Sequence, residues 1–251
     1  MEMFKMEMGN PYKETVVFLH GGGLDHTQWK EVMKHLSKDF HCVAVDLPMH
    51  GRSTHIALSM PTVMEEMEAL LKCYKKVHLV GLSLGGVIAL TVLNRFPQYI
   101  QSVIISGTMF SFSAKSAELI NTYVAPIYGL LKPDWIATLL MKTSNIPPRF
   151  RGDINQAVKS TNVEQARAMY RLLAQGEVPD ASPCPLLIVA GEKENRAVKR
   201  SQSTMLASIK DSTAAIVPGV GHAWSYENPL LFAEMVEKWC RYGEIHHVLK
   251  R

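Results

Sequence analysis

The chain has 251 residues, 47% of them hydrophobic, and 27 basic against 23 acidic side chains leave a net charge of +4. That is enough apolar material for a sizeable core, in one large α/β domain or two small ones. The near-balanced charge, with no dense Lys/Arg block and no basic stripe interleaved with aromatics, excludes the usual footprint of a nucleic-acid binder. Cys42, Cys73, Cys184 and Cys240 are scattered without CxxC spacing, which points away from a metal centre or a disulfide framework and toward a reducing cytoplasm.

From Met1 to Met8 charged and apolar residues alternate, so this segment reads as an edge strand. It has neither a signal-peptide core nor a membrane-spanning run, and no membrane partner is expected. Short apolar runs follow at Thr15 to His20, Cys42 to Asp46, Val77 to Val80, Ser102 to Ser106, Leu186 to Ala190 and Ala214 to Val217, each bounded by Gly, Pro or Asp. Nearly continuous apolar runs of this length fit strands buried on both faces, as a parallel sheet requires. Helical spacing of apolar residues falls between them, at about 26–38, 61–73, 85–95, 197–208 and 228–241. The alternation predicts an α/β fold with a doubly wound, mostly parallel sheet.

One segment breaks the pattern. From Phe110 to Asp180 no convincing strand occurs, while Ala117 to Leu131, Pro133 to Met141, Asp153 to Ser160 and Val163 to Gln175 read as helices separated by prolines. The predicted organisation is a core of residues 1–110 and 183–251 with a helical cap over 111–182, since long insertions in compact domains are usually functional or disordered.

The chemistry concentrates at Gly81-Leu82-Ser83-Leu84-Gly85, directly behind one apolar run and ahead of a helix. A strand, a sharp turn with one serine and a helix would force Ser83 into a strained conformation, its hydroxyl exposed and the next N–H, that of Leu84, beside it. A serine hydroxyl needs a neighbouring base to act at neutral pH. His222, in Gly219-Val220-Gly221-His222 after the last strand, is the candidate, in a loop flexible enough to swing its ring toward the serine.

These segments resemble the α/β-hydrolase family in order and spacing: Leu19-His20-Gly21-Gly22-Gly23, then Asp46-Leu47-Pro48-Met49-His50-Gly51-Arg52-Ser53, then Gly81 to Gly85, then Gly219 to His222. The resemblance covers about 12–110 and 184–242, and the insertion falls where the family carries its cap. It implies a serine esterase with Ser83 as nucleophile and His222 as base. The family's acid usually stands three residues after a glycine, which here is Glu194 after Gly191. Glutamate in place of the usual aspartate leaves Glu192 as a rival, whereas Asp46 belongs to a structural turn. The resemblance also implies an oxyanion hole from the N–H groups of Gly22 and Leu84. No GKS or GKT follows the triple glycine and no GxGxxG occurs, so a phosphate site is not indicated.

Gly21, Gly23 and Met109 are candidates for substrate contact. Arg149 and Arg151, flanking Phe150, could clamp a substrate carboxylate. His50 reads as a packing or capping residue, and Asp25 and Thr27 as helix-start residues. The expected reaction is cleavage of a small carboxylic ester, with no metal or cofactor and an acyl substrate as partner. Carbon–carbon bond hydrolysis, thioester hydrolysis and a lyase reaction of the menaquinone-pathway type remain open on the same triad, as does a slow-turnover receptor. A serine at the turn argues against dehalogenase and epoxide hydrolase chemistry, which use aspartate there.

Overall fold

The structure is a computed structural model that describes residues 2–110 and 113–250. Seven strands form one sheet: β1 (Lys5–Met8), β2 (Thr15–Leu19), β3 (His41–Val45), β4 (Val77–Leu82), β5 (Ile100–Ser106), β6 (Ala181–Gly191) and β7 (Lys210–Val217), in the order β1-β3-β2-β4-β5-β6-β7. Only β1 runs antiparallel, paired with β3 from Lys5 opposite Val45 to Met8 opposite Cys42. It is the expected edge strand, and its alternating charged residues suit a sheet margin.

The apolar runs of β2 to β6 are buried on both faces because side chains alternate across the sheet, whereas on the edge strand β7 Ala214 and Ile216 stay partly exposed, against expectation. Val16 and Phe18 of β2 join one core cluster with Val80, Ile104 and Val189, while Val17 and Leu19 join the other with Leu79, Val103 and Ile188. The first cluster is covered by α1 (Lys30–Leu36) and, near the chain's end, by Phe232, Met235 and Val236. The second is covered by α2 (Met60–Leu71) and α3 (Leu84–Arg95).

Between β5 and β6 lie α4 (Ala114–Tyr123), α5 (Pro133–Thr143), α6 (Arg151–Ala157) and α7 (Val163–Leu173). The helix expected over Ala117 to Leu131 ends at Tyr123 and continues as a 3-10 turn, Ala125–Gly129, because Pro126 has no N–H to extend the α-helical ladder. β6 begins at Ala181, two residues ahead of the expected core boundary at 183, with Pro183 and Pro185 in the stretch where its register to β7 shifts. After it come α8 (Arg196–Ser208), the short α9 (Trp224–Glu227) and α10 (Pro229–Tyr242). The first predicted helix opens as a 3-10 turn, His26–Trp29, with Asp25 accepting from the Thr27 N–H as its cap.

The chain passes from β2 outward to β3 and returns to β4 on the other side of β2. Ligand crevices in such sheets open at the carboxyl ends of the strands flanking that reversal. Here those ends are the glycine loop after β2 and the serine turn after β4.

Candidate active site

Ser83 has φ 53° and ψ −110°, a region that a side chain adopts at a cost of about 1–3 kcal/mol and that here packing imposes. The neighbouring glycines show why. A Cβ on Gly81 would lie 2.4 Å from the Gly85 carbonyl oxygen, and one on Gly85 would lie 2.2 Å from that of Leu19. The turn closes only because both positions lack side chains. Ser83 donates its N–H to the Ser106 carbonyl at 2.9 Å, and its own carbonyl accepts from Gly86 and Val87, starting α3. Leu84 is the first residue of that helix, where N–H groups have no intrahelical partner.

Gly107 continues from Ser106 at the end of β5 with φ +58°. A Cβ there would stand 2.9 Å from His222 Nδ1 and 2.8 Å from Glu194 Oε1. The His222 ring therefore lies against the corner that also holds the Ser83 backbone. Its Nδ1 is 2.8 Å from Glu194 Oε1, with the carboxylate side chain 2% exposed and the imidazole 27% exposed. A buried carboxylate on Nδ1 holds the proton there and leaves Nε2 as the basic nitrogen.

Local backbone bonds bring Glu194 to this place. The turn after β6 is pinned by Glu192 N–H to the Val217 carbonyl and Lys193 N–H to that of Val220, at 2.8 and 2.9 Å. Gly191 allows the approach, since a Cβ on it would lie 2.5 Å from the Gly221 oxygen. Glu192 faces outward. Gly219 N–H and the Lys250 ammonium hold its carboxylate below the usual range, and it does not reach the imidazole.

The histidine loop is tied on both sides rather than free to swing. Gly221 N–H donates to Glu227 Oε1 at 2.7 Å, Ala223 N–H to the Ser144 carbonyl at 3.2 Å, and the buried Trp224 indole to Ser106 Oγ at 2.8 Å. Asn145 at the end of α5 donates to the other oxygen of Glu227. The inserted helices thus help to position His222.

The glycine loop is equally braced. His20 is fully buried, and its Nε2 accepts from the Leu47 N–H at 3.0 Å, which places its proton on Nδ1, directed to the Gly21 carbonyl at 2.8 Å. Burial, with His50 nearby, pushes its pKa down to about 3, so the ring is neutral. Gly21 N–H is taken up by Gln28 Oε1 at 2.9 Å. Gly21 is therefore a buried strut, while Gly22 and Gly23 face a cavity of 290 Å³ beneath the inserted helices. Tyr128, Leu131, Ile136, Leu140, Val158 and Met169 supply much of its apolar wall. A second, polar cavity of 550 Å³ opens on the other side of Thr143, bordered by Asn145, Lys193, Asn195 and His222.

Several expected contacts lie elsewhere. Arg149 donates to the Tyr226 carbonyl at 3.0 Å and stacks over Phe150, while Arg151 donates to Thr138 Oγ1 at 2.9 Å. Both brace the inserted helices, and neither borders the two cavities. Met109 is half-buried and outside the cavity wall, where Met169 stands instead. Asp46 accepts from His26 and from the Arg52 N–H, which bring its pKa below the usual range despite burial. Asp25, His26 and Asp46 bring three potential metal-binding atoms within 4.8 Å of one another, but these atoms are engaged in the turn's own hydrogen bonds. His50 donates its Nδ1 proton only locally, to the Pro48 carbonyl at 2.9 Å, in keeping with a packing role.

The profile of the alpha/beta hydrolase family matches residues 16–235. The chain belongs to this family. Among relatives, an AB hydrolase superfamily protein of Gibberella zeae is 25% identical over 92% of this chain and 81% of its own length. A protein of Acinetobacter baylyi named (E)-2-((N-methylformamido)methylene)succinate hydrolase is 22% identical over 90% of each chain. Among solved structures, an esterase from Thermogutta terrifontis superposes with a TM-score of 0.81 at 22% identity, covering 95% of this chain and 93% of the other. The profile match makes the chain a member of a hydrolase family, and the structural likeness shows the α/β-hydrolase fold.

Two features of the site are absent from the sequence-based expectations. Gly107, directly after the Ser102 to Ser106 run, carried a detectable signal, a glycine closing a strand at the ligand-binding edge. The Ser144 and Asn145 anchors carried none.

Proposed function

We propose that this protein is a serine esterase acting on carboxylic esters with an apolar acyl group. The observation that supports it most is the 2.8 Å contact between His222 Nδ1 and Glu194 Oε1, packed against the strand corner that bonds the strained Ser83. Ser83 Oγ attacks the ester carbonyl as His222 Nε2 takes its proton, and Glu194 stabilises the imidazolium. The N–H groups of Gly22 and Leu84 stabilise the developing oxyanion. His222 then protonates the leaving alcohol, and a water attacks the acyl-enzyme by the same route.

The acyl group occupies the apolar cavity bordered by Gly22 and Gly23. A 150 Å³ cavity holds benzene, so 290 Å³ suits an unbranched chain of roughly six to ten carbons. The alcohol leaves through the polar cavity beside His222. Among the described residues Arg149 and Arg151 are engaged in bracing, which favours the ester reading over the lyase or carbon–carbon hydrolase one. A Ser83→Ala variant tests the assignment: turnover of a p-nitrophenyl ester falls at least about 10⁴-fold with the fold intact. Near wild-type turnover would refute it.

A further inference from the structure

Large apolar side chains are exposed mainly in one part of the chain. Leu119 (55%), Tyr123 (71%), Ile127 (45%), Leu130 (85%), Trp135 (69%) and Leu139 (54%) all lie on α4, α5 and the segment joining them. Leu119 and Tyr123 share a face of α4 at i,i+4, and Trp135 and Leu139 share one of α5. Where such side chains gather, as Leu130, Trp135 and Leu139 do on and just ahead of α5, they mark an interaction site rather than ordinary exposure.

Two observations identify what it meets. The patch is continuous with the apolar cavity, because Leu139 belongs to both and Tyr128 and Leu131 line the cavity from within the same exposed segment. An aliphatic chain leaving a lipid layer would thus reach Gly22 without crossing water. The second observation is charge. The helices from Ala114 to Leu173 hold eight basic and four acidic residues, and so carry all of the chain's net charge of +4. Between Leu130 and Trp135 the exposed Lys132 is accompanied by Asp134, and the exposed Lys142 follows Trp135 and Leu139 on the same face of α5.

We infer that this face docks on an anionic lipid surface. Leu130 and Trp135 enter the interface, the exposed Lys132 and Lys142 meet the headgroups, and the cavity mouth faces the acyl chains. Tyr and Trp favour such interfaces because one end of the ring is apolar and the other wet. Among the described residues no helix is long and apolar enough to cross a membrane, so the contact is with the surface. The sequence alone led to no membrane partner because the patch is assembled from two helices and a turn, none of which has a spanning pattern.

Trp135 makes the test direct, since Trp29, Trp224 and Trp239 are 0%, 0% and 4% exposed. Vesicles of phosphatidylcholine with about 30% phosphatidylglycerol should sediment the protein at least about tenfold more tightly than phosphatidylcholine alone. Salt should weaken the binding, and Trp135 emission should shift to the blue. The Leu130→Glu/Trp135→Glu double variant should lose at least about tenfold in vesicle binding while keeping its circular dichroism and its turnover of a water-soluble ester. Absence of vesicle binding, or equal binding to both vesicle types, would overturn the inference. So would a lipid-free dimer that the double variant abolishes, which would assign the patch to a second copy of the chain. Sedimentation reads docking even if the chain hydrolyses no ester.

Discussion

A methyl group on Gly107 would stand 2.9 Å from Nδ1 of His222, closer than real Cβ atoms come to their neighbours. This glycine, with φ +58°, makes room for the contact between the imidazole and Glu194. Gly107→Ala should therefore displace the ring and lower kcat by about 10²-fold, the cost of a misplacement on the order of 1 Å. The melting temperature should fall as well, because alanine is strained at this φ. Steady-state kinetics beside thermal unfolding checks both, and unchanged kcat would remove Gly107 from the account.

Glu194 and Glu192 are separated by one variant of each. Glu194→Gln should lower kcat by about 10³–10⁴-fold with the fold retained, since the amide no longer stabilises the imidazolium or enforces its tautomer. Glu192→Gln should leave kcat within about twofold, because that carboxylate serves Gly219 and Lys250 on the surface. A reversed pattern would transfer the acid's role to Glu192.

Acid stability should report His20. Its folded pKa, about 3, lies below the ordinary 6.5, so between those values the unfolded chain binds the proton and the native chain does not. Stability from this group is complete above about pH 6.5 and declines as pH falls toward 3, by up to about 1.4 kcal/mol per pH unit. The depressed pKa of buried His50 acts in the same direction. Urea unfolding at a series of pH values measures the slope, and a flat profile between pH 6 and 4 would contradict the neutral, buried assignment.

Gly22 and Met169 should be coupled. A Cβ on Gly22 would meet the Met169 sulfur at 2.2 Å, the flexible end of a side chain in the cavity wall. Gly22→Ala should lower kcat/KM by about tenfold or more on a hexanoate or octanoate ester. Met169→Ala should restore part of the loss, a coupling of about 0.5–3 kcal/mol in a double-mutant cycle. Additive effects would separate the two residues.

What could be read in the sequence was what local chemistry dictates. The strand runs around Val17, Val43 and Leu79 are apolar on both faces because a parallel sheet buries both, and Gly81 and Gly85 announce a turn too tight for side chains. Glu194 was singled out, with Glu192 as rival, by the family's offset from Gly191, and the short turn after β6 carries it to the His222 ring. The helix boundary at Tyr123, the bracing roles of Arg149 and Arg151, and the choice of Met169 over Met109 depend on how separate helices dock. No single segment encodes that docking. The histidine loop shows the same division: its Gly-x-Gly-His pattern was visible, while the contacts that tie it down come from Ser144, just after α5, and from Asn145, 82 residues ahead of its partner Glu227.

The central claim is that Ser83 is an activated nucleophile. Reaction of the folded protein with a fluorophosphonate, followed by peptide mass mapping, tests it most directly. The account predicts one adduct per chain, on Ser83, lost in Ser83→Ala and strongly slowed in His222→Ala. An unmodified Ser83 in folded protein, or an adduct on another residue, would contradict it.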